Sequence, residues 1–233
     1  MQTILVTGSS GQIGGATLDA LRARGYDARP FDIAQGNDLL DEHDVHEAMK
    51  GCQLVVHSGA IPHDSRGTPG QIMATNVLGT WNVLLAAETH RVERVVVLSS
   101  AQVFGCLEGE GKPAYLPIDD AHPLRAARPY GMSKRLVETM CEAWTQRTGI
   151  PTVVLRPVHV FTEEKLIAAR ADAVEFGAFV HLDDVADAVV RSLTAATAPH
   201  VRMILCGPGA FDSAAAERTL GWRARRAWPK DQE

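Results

Sequence analysis

An α/β fold organised around a doubly wound parallel sheet is predicted by three features of this sequence. Short runs of valine, isoleucine and leucine recur without intervening polar residues, which is typical of strands buried on both faces. Helical patterns lie between these runs, so strand and helix alternate along the chain. A glycine-spaced loop separates the first strand from the first helix. The apolar runs are TILV at 3–6, LVVH at 54–57, VVVL at 95–98, TVVL at 152–155 and VRMIL at 201–205.

Three helices are indicated by apolar spacing together with recognisable ends. QIGGATLDALRARG ends at Gly25, and GTWNVLLAAETHR covers 79–91. PYGMSKRLVETMCEAWTQRTG has Pro129 in its first turn and Gly149 at its end. The stretch 101–127 is crowded with glycine and proline and has no sustained helical period. We predict a long loop there, of the kind that usually carries function in compact domains.

Composition favours a small-molecule partner. A chain of 233 residues with 45% hydrophobic content is long enough for one well-buried core, and its net charge of −5 offers no electrostatic footprint for nucleic acid. The exception is the short basic cluster of Arg223, Arg225 and Arg226, which we expect to form a solvated terminal face.

The cysteines and the apolar segments indicate where the protein works. No segment has the length or composition of a signal peptide or a membrane span, so no membrane association is expected. The cysteines have no paired spacing, which fits a reducing compartment, and we expect a cytoplasmic protein. They are Cys52, Cys106, Cys141 and Cys206.

A metal site is not expected. DEHDVHEAMK places His43 and His46 among four acidic residues. Acidic residues at a helix start are favoured by the helix dipole alone, and no zinc-type motif follows. The stretch therefore predicts a solvated helix face.

The loop VTGSSGQIGG predicts a dinucleotide site. Gly8, Gly11 and Gly14 follow the first strand at a spacing of three, which lets backbone N–H groups approach a pyrophosphate at a helix N-terminus. The second strand, YDARPF, is expected to end at Asp32, 18 residues beyond Gly14. An acidic side chain at this point binds the ribose hydroxyls and repels a 2′-phosphate, so NAD is favoured over NADP. Arg29 on the same strand is the one feature that argues for NADP.

A serine, a tyrosine and a lysine suited to hydride-transfer chemistry are expected to converge at the carboxyl edge of the sheet. Ser99 and Ser100 end the fourth strand, while Tyr130 and Lys134 lie one helical turn apart. A tyrosine has an ordinary pKa of about 10, and a nearby ammonium and an oxidised nicotinamide both stabilise its phenolate. Lys134 supplies that charge, and Ser100 holds the substrate oxygen for proton transfer with Tyr130.

The ordered motifs of the chain resemble the extended short-chain dehydrogenase/reductase superfamily, the NAD-dependent epimerase/dehydratase family. The matching segments are TGSSGQIG, NDLLD, VVHSGA, NVLGTWNVL, SSAQVFG, PYGMSK, LRPVHVF and FVHLDDVADAVV. The resemblance implies a Rossmann-type core at 1–157 and a reduced substrate-binding portion at 158–233, interleaved with the last sheet strand in a single globular body. It implies catalytic roles for Ser100, Tyr130 and Lys134. It implies cofactor contacts from Gly8, Ser10, Gly11, Gln12, Ile13, Gly14, Asp32, Asp38, Leu39, Ser58, Gly59, Ala60, Asn76, Ser99, Tyr130, Lys134 and Pro157.

Two departures from the family pattern narrow the expected activity. Only the 17 residues 162–178 separate Phe161 from Phe179, where members that bind nucleotide sugars usually carry dozens. Ala101 and Gln102 replace the acidic pair of the sugar dehydratases, and elimination requires such an acid and base. The resemblance therefore implies an enzyme that oxidises or reduces a small sugar, sugar acid or polyol with NAD.

Several alternatives stay open at this stage. Nucleotide-sugar epimerisation and a non-catalytic NAD(P)-binding sensor are the two rival functions. His159 stands where such members commonly carry an asparagine, and it is either a substrate contact or a packed imidazole; Gln102 is the other candidate substrate contact. Lys165 and Arg170 are candidates for holding a carboxylate, although the favoured interpretation of their segment is a solvated surface helix. The helices at 73–89 and 129–148 resemble the pair through which family members dimerise, so a homodimer is a further expectation.

Overall fold

The computed structural model describes residues 2–169, 171–207 and 209–228. At its centre lies a parallel sheet of six strands in the order β2-β1-β3-β4-β5-β8. The chain moves outward from β1 to β2 and then crosses to β3 on the other side of β1. This reversal opens a crevice at the carboxyl ends of β1 and β3. The six strands are β1 Thr3–Thr7, β2 Asp27–Phe31, β3 Leu54–His57, β4 Arg94–Leu98, β5 Thr152–Pro157 and β8 His200–Leu205.

Helices cover both faces of the sheet, which confirms the predicted fold class. Alternate strand residues face opposite sides, so Ile4 and Val6 pack with one set of helices and Leu5 packs with the other. One layer contains α1, α7 and α8, and the other contains α2, α4 and α5. The helices are α1 Gln12–Ala23, α2 Glu42–Met49, α3 Pro69–Met73, α4 Gly79–Thr89, α5 Pro129–Thr148, α6 Glu163–Ala168, α7 Leu182–Thr194 and α8 Ala214–Leu220.

Helices α3 and α4 are joined by a π-helical segment at 74–78. A capping box between Thr68 and Gln71 starts α3, and the N–H of Gly79 donates to the carbonyl of Ala74. Single π turns inside a helix are rare and are found mostly at functional sites. The sequence pattern had suggested one helix over 73–89, and the backbone indeed keeps right-handed helical φ and ψ at both borders of the π-helical segment.

A second sheet and helix α7 follow β5 along the chain. A second, two-stranded sheet pairs β6 Val160–Phe161 with β7 Val180–His181. Helix α7 is capped by His181, whose Nδ1 accepts from the N–H of Asp183 at 3.2 Å. Asp184 is buried and accepts from the backbone and side chain of Arg225.

The predicted loop 101–127 contains one short 3₁₀ turn, at Ala101–Phe104, and is otherwise irregular. It is nevertheless packed, since Phe104, Leu107 and Ile118 belong to a buried cluster with Ile204 and Phe211. Within the described ranges, no helix has the length and apolar character needed to cross a membrane.

Candidate functional site

A cavity of about 1110 Å³ opens at the carboxyl edge of the sheet, over the crevice between β1 and β3. Its walls come from the glycine loop, the end of β2, the segments after β3 and β4, and the first turn of α5. These segments are far apart in sequence. The parallel sheet brings them together because all its strands end at the same edge.

The glycine loop is shaped for close backbone approach. Gly8 has φ +69°, and a Cβ placed there would lie 2.5 Å from the nitrogen of Gly59. A Cβ on Gly14 would lie 2.1 Å from the carbonyl oxygen of Gly8. Any side chain at these two positions would displace the loop. Because both residues are glycines, the N-terminus of α1 faces the cavity unobstructed. Gly8, Gly11, Gln12, Ile13 and Gly14 all line it.

Asp32 stands at the end of β2 with its carboxylate held in place. One oxygen accepts from the N–H of Ala34 at 3.0 Å, and the other accepts from the N–H of Ser10 at 3.2 Å. Arg29 points elsewhere, donating to the carbonyl of Lys50 at 2.7 Å. The cavity wall beside Asp32 therefore carries a negative charge without a compensating Arg29. Asp38, Leu39, Ser58, Gly59, Ala60, Ser99 and Pro157 also line the cavity.

Asn76 and Ser99 use their side chains within the protein. The amide of Asn76 bonds to the backbone N–H and carbonyl of Ile61 and to the hydroxyl of Ser133, and the residue is buried. The Ser99 hydroxyl donates to Glu138 at 2.6 Å. Both side chains thus position the segments around the cavity, and the cofactor contacts expected of them stay predictions.

Ser100 and Tyr130 line one end of the cavity, and their side chains are close enough for Ser100 to lower the pKa of Tyr130. The Lys134 ammonium lies 5.9 Å from the centre of the Tyr130 ring, and Lys134 is not among the residues that line the cavity. Lys134 donates to the carbonyl of Leu98 at 2.8 Å and is buried. The three side chains therefore come together as the sequence predicts.

Burial controls the protonation of Tyr130 and Lys134. It raises the pKa of Tyr130 to about 12, against the opposing hydrogen bond from Ser100. It also lowers the pKa of Lys134 to about 8, an effect that the nearby Glu138 partly offsets. Within the polypeptide, the ammonium of Lys134 is therefore not enough to stabilise the phenolate of Tyr130.

Two carboxylates that the sequence analysis missed position the start of α5. Asp64 accepts from the N–H of Tyr130 at 2.7 Å, and Glu110 accepts from the N–H of Arg128 at 2.9 Å. They occupy the unpaired N–H groups that every helix leaves at its first turn. Because both belong to distant loops, no local motif pointed to them.

A buried ion pair lies behind Ser99 and Lys134. Arg156 contacts Glu138 through two nitrogens, at 3.0 and 2.6 Å, and both side chains are fully buried. Arg156 also reaches the carbonyl of Asp120 at 3.1 Å. Glu138, which also accepts from Ser99, thereby ties the end of β4 to α5, the two elements that carry Ser100 and Tyr130.

At the other end of the site, cationic side chains lie near one acidic side chain. Gln102 and His159 line the cavity as expected, and so do Arg66 and Lys165. His159 has φ +37°, its Nε2 is buried without a hydrogen bond, and burial lowers its pKa. Glu108, which the sequence analysis missed, approaches His63 at 3.8 Å. Arg170 lies outside the described residues. Within the described ranges, no three metal-binding side chains gather closely enough to hold an ion.

The chain is similar in sequence to one protein family and to curated proteins. Residues 4–175 match the sequence model described as the NAD dependent epimerase/dehydratase family. A putative UDP-glucose 4-epimerase of Methanocaldococcus jannaschii is 32% identical over 180 residues, which cover 70% of this chain and 57% of that protein. A uronate dehydrogenase of Pseudomonas syringae pv. tomato is 30% identical over 172 residues, covering 69% and 60%. The chain thus spans less than two thirds of the length of these curated relatives.

A solved structure shows the same fold at lower sequence identity. The UDP-glucose 4-epimerase of Thermotoga maritima, solved with UDP-glucose, matches with a TM-score of 0.82 at 16% identity. The match covers 97% of this chain and 94% of that chain.

Proposed function

The chain belongs to the NAD dependent epimerase/dehydratase family, and from that membership we propose that it is an NAD-dependent oxidoreductase of small sugars, sugar acids or polyols. The observation that carries the proposal is that Ser100 and Tyr130 line a cavity whose other wall is a glycine loop, with the buried Lys134 beside the Tyr130 ring. A binding module needs only the glycine loop. The three polar side chains provide the groups for proton transfer at a substrate oxygen.

The residues present fit a dinucleotide. The N–H groups at the start of α1 and the close approach permitted by Gly8 and Gly14 suit a pyrophosphate. The carboxylate of Asp32 is placed to accept from ribose hydroxyls, which favours NAD over NADP. By similarity to the family, Lys134 would bind the nicotinamide ribose. When bound, oxidised NAD supplies a hydride acceptor and a positive charge at the nicotinamide ring.

Tyr130 and Ser100 carry out the proton chemistry in this proposal. Ser100 donates to the substrate oxygen and holds it beside the Tyr130 hydroxyl. Tyr130 removes the proton from that oxygen when an alcohol is oxidised and returns it when a carbonyl is reduced. Because burial raises the pKa of Tyr130 to about 12, its deprotonation requires positive charge beyond that of Lys134. The tyrosine is therefore expected to act as a base only when oxidised cofactor is bound.

The size of the substrate portion favours a small substrate. Among the described residues between β6 and β7, the regular elements are the short helix α6 and two 3₁₀ turns, at Ala171–Ala173 and Glu175–Gly177. Arg66 and Lys165 line the cavity and would suit a carboxylate, which agrees with a uronate dehydrogenase being among the relatives. The rival function, epimerisation of a nucleotide sugar, draws support from the relative with that name. It requires an anchor for the nucleotide, for which 162–178 offers little chain.

We infer a homodimer and a reducing location from separate observations. Leu78 and Leu136 are about half exposed on neighbouring helices of the pair that the family uses to dimerise. Trp144, on the same helix as Leu136, is buried in the core of this chain. All four cysteines are buried free thiols, which fits a reducing compartment such as the cytoplasm.

The test is to follow nicotinamide absorbance with purified protein, NAD and a panel of aldoses, uronic acids and polyols. We expect turnover with at least one class of substrate. Tyr130→Phe should lower the rate by roughly 10²- to 10⁴-fold, the usual contribution of a general acid or base, while NAD affinity stays nearly unchanged.

The matched control is Tyr115→Phe, which removes an exposed hydroxyl bonded to Asp119. This variant should keep full activity. No turnover across the panel, with NAD still binding, would overturn the proposed function. Interconversion of UDP-sugars by the same preparation would then identify an epimerase, and a Tyr130→Phe variant that keeps its cellular function would indicate a sensor.

A further inference from the structure

A buried chain of hydrogen bonds runs beneath the cavity from β1 to α4. The Nδ1 of His57 lies 2.7 Å from the Thr7 hydroxyl, and its Nε2 lies 2.9 Å from the Thr80 hydroxyl. The N–H of Gly59 donates to the Thr7 oxygen at 3.2 Å, and the Thr80 hydroxyl lies 2.5 Å from the carbonyl of Asn76. Thr7, His57 and Thr80 are each at most 3% exposed.

Only one arrangement of protons gives every donor in this hydrogen-bond chain an acceptor. A carbonyl can only accept, so Thr80 donates its single proton to Asn76 and must accept from Nε2 of His57. The Thr7 oxygen accepts from Gly59, and its own proton has an acceptor only if Nδ1 of His57 is bare. A doubly protonated imidazole would leave the Thr7 proton without an acceptor in a buried site. His57 therefore carries its proton on Nε2 alone.

The two ends of the chain hold different parts of the site. Gly59 lines the cavity and lies against Gly8, since a Cβ on Gly8 would be 2.5 Å from the nitrogen of Gly59. Asn76, at the other end, lies in the π-helical segment and donates to Ser133 at 2.9 Å. Ser133 in turn donates to the carbonyl of Tyr130 at 2.7 Å.

We propose that His57 is a positioning residue, which as a neutral Nε2-protonated imidazole holds the glycine-loop side of the cavity and the helix of Tyr130 in register. The proposal rests on the proposed function for its kinetic consequences, but the proton arrangement and the effect on NAD binding do not require turnover. The Thr7 side supports the cofactor pocket. The Thr80 side supports the placement of Tyr130.

The proton arrangement can be measured directly on the wild-type protein. Nitrogen-15 NMR of the histidine rings should show, for His57, a bare Nδ1 and a protonated Nε2 at pH 7. The His57→Gln variant identifies the signal. A proton on Nδ1, or on both nitrogens, would overturn the proposal.

Isosteric threonine-to-valine variants distinguish the Thr7 side of the hydrogen-bond chain from its Thr80 side. Thr7→Val should weaken NAD binding by roughly five- to tenfold, the usual effect of losing a buried hydrogen bond, with kcat at saturating NAD nearly unchanged. Thr80→Val should lower kcat by roughly the same factor and leave NAD affinity nearly unchanged. His57→Gln retains a donor near the Nε2 position, so it should resemble Thr7→Val and keep most of kcat.

The matched control is Thr145→Val. Thr145 is equally buried and belongs to a similar chain, in which Thr152 contacts Thr145 at 2.8 Å and His200 at 2.6 Å on the far side of the sheet. It should change neither parameter. Effects of Thr7→Val and Thr80→Val that equal those of Thr145→Val would reduce His57 to a core residue and overturn the proposal. If the wild type turns over no substrate, the proposed function fails, and the NMR spectrum and NAD affinities still decide this inference.

Discussion

Burial sets the charge of the key side chains around the cavity. It lowers the pKa of His57 to about 3, with a smaller contribution from the nearby Lys134, and raises that of Tyr130 to about 12. In both cases the neutral form is favoured, as expected where water is excluded. His57 and Tyr130 are therefore neutral before a ligand binds, and a charged ligand can change the protonation of Tyr130.

The expected preference for NAD over NADP is attributed to one residue, Asp32. Asp32→Ser removes the negative charge that repels a 2′-phosphate, so we expect the kcat/KM ratio of NADP to NAD to rise by roughly tenfold or more. The control is Asp27→Ser, which removes an exposed acid from the same strand. An unchanged ratio in Asp32→Ser would show that the cofactor is chosen elsewhere.

Acid should destabilise the protein through His57. The pKa of its imidazole is about 3 in the folded protein against an ordinary value of 6.5, so between these values the unfolded chain binds the extra proton. Stability from this group is complete above pH 6.5 and is lost as the pH falls towards 3. Between pH 7 and pH 5 we expect a loss of about 2 kcal/mol that His57→Gln does not show, measured by urea unfolding at both pH values. Equal losses in the two proteins would contradict the buried neutral imidazole.

At the scale of elements, α5 is placed by distant side chains more than by its own sequence. Arg128, at its start, offers no capping side chain, and Asp64 and Glu110 supply the missing acceptors. The buried pair of Glu138 and Arg156 fixes the same helix against β4 and β5. The geometry of Ser100 and Tyr130 thus depends on contacts between elements.

Breaking the buried pair should cost far more than breaking an exposed one. Arg156→Met leaves Glu138 buried without its partner, and we expect a loss of about 3–5 kcal/mol in the free energy of unfolding. Arg147→Met breaks a pair with Glu88 of the same 2.6 Å length but with the arginine side chain 54% exposed, and should cost less than about 1 kcal/mol. Urea unfolding measures both. Similar losses in the two variants would show that Glu138 is not held as a buried charge.

At the scale of the whole molecule, the two helical layers differ in what they leave uncovered. Leu136 on α5 and Leu78, in the π-helical segment that leads into α4, are about half exposed, while Trp144 of α5 is buried in the core. Exposed apolar side chains grouped on adjacent elements are typical of an interaction surface. A second copy of the chain is the partner that the family pattern suggests.

The proposed dimer can be tested by introducing one charged side chain. Leu136→Glu places a carboxylate in the proposed interface, and we expect a wild-type dimer to become a monomer in analytical ultracentrifugation. Ile167→Glu adds the same charge at another exposed apolar position, 65% exposed on α6, and should leave the dimer intact. A monomeric wild type would contradict the proposal.

The sequence by itself determined the features that local patterns encode. Uninterrupted β-branched runs predicted the parallel strands, because only strands covered on both faces tolerate them. Gly8 and Gly14 predicted the cofactor loop, because no other residue fits their close contacts, and Ser100, Tyr130 and Lys134 were recognisable by type and spacing.

The tertiary structure alone decided how the polar side chains are used. In the folded protein the Ser99 hydroxyl donates to Glu138, and the Asn76 side-chain amide hydrogen-bonds to Ile61 and Ser133. The fold also brings Asp64 to the first turn of α5. These contacts join residues 15 to 66 positions apart, and a hydrogen bond between distant segments leaves no periodic signal in the chain. Their partners are chosen by the packing of whole elements, which exists only once the sheet and its two layers have formed.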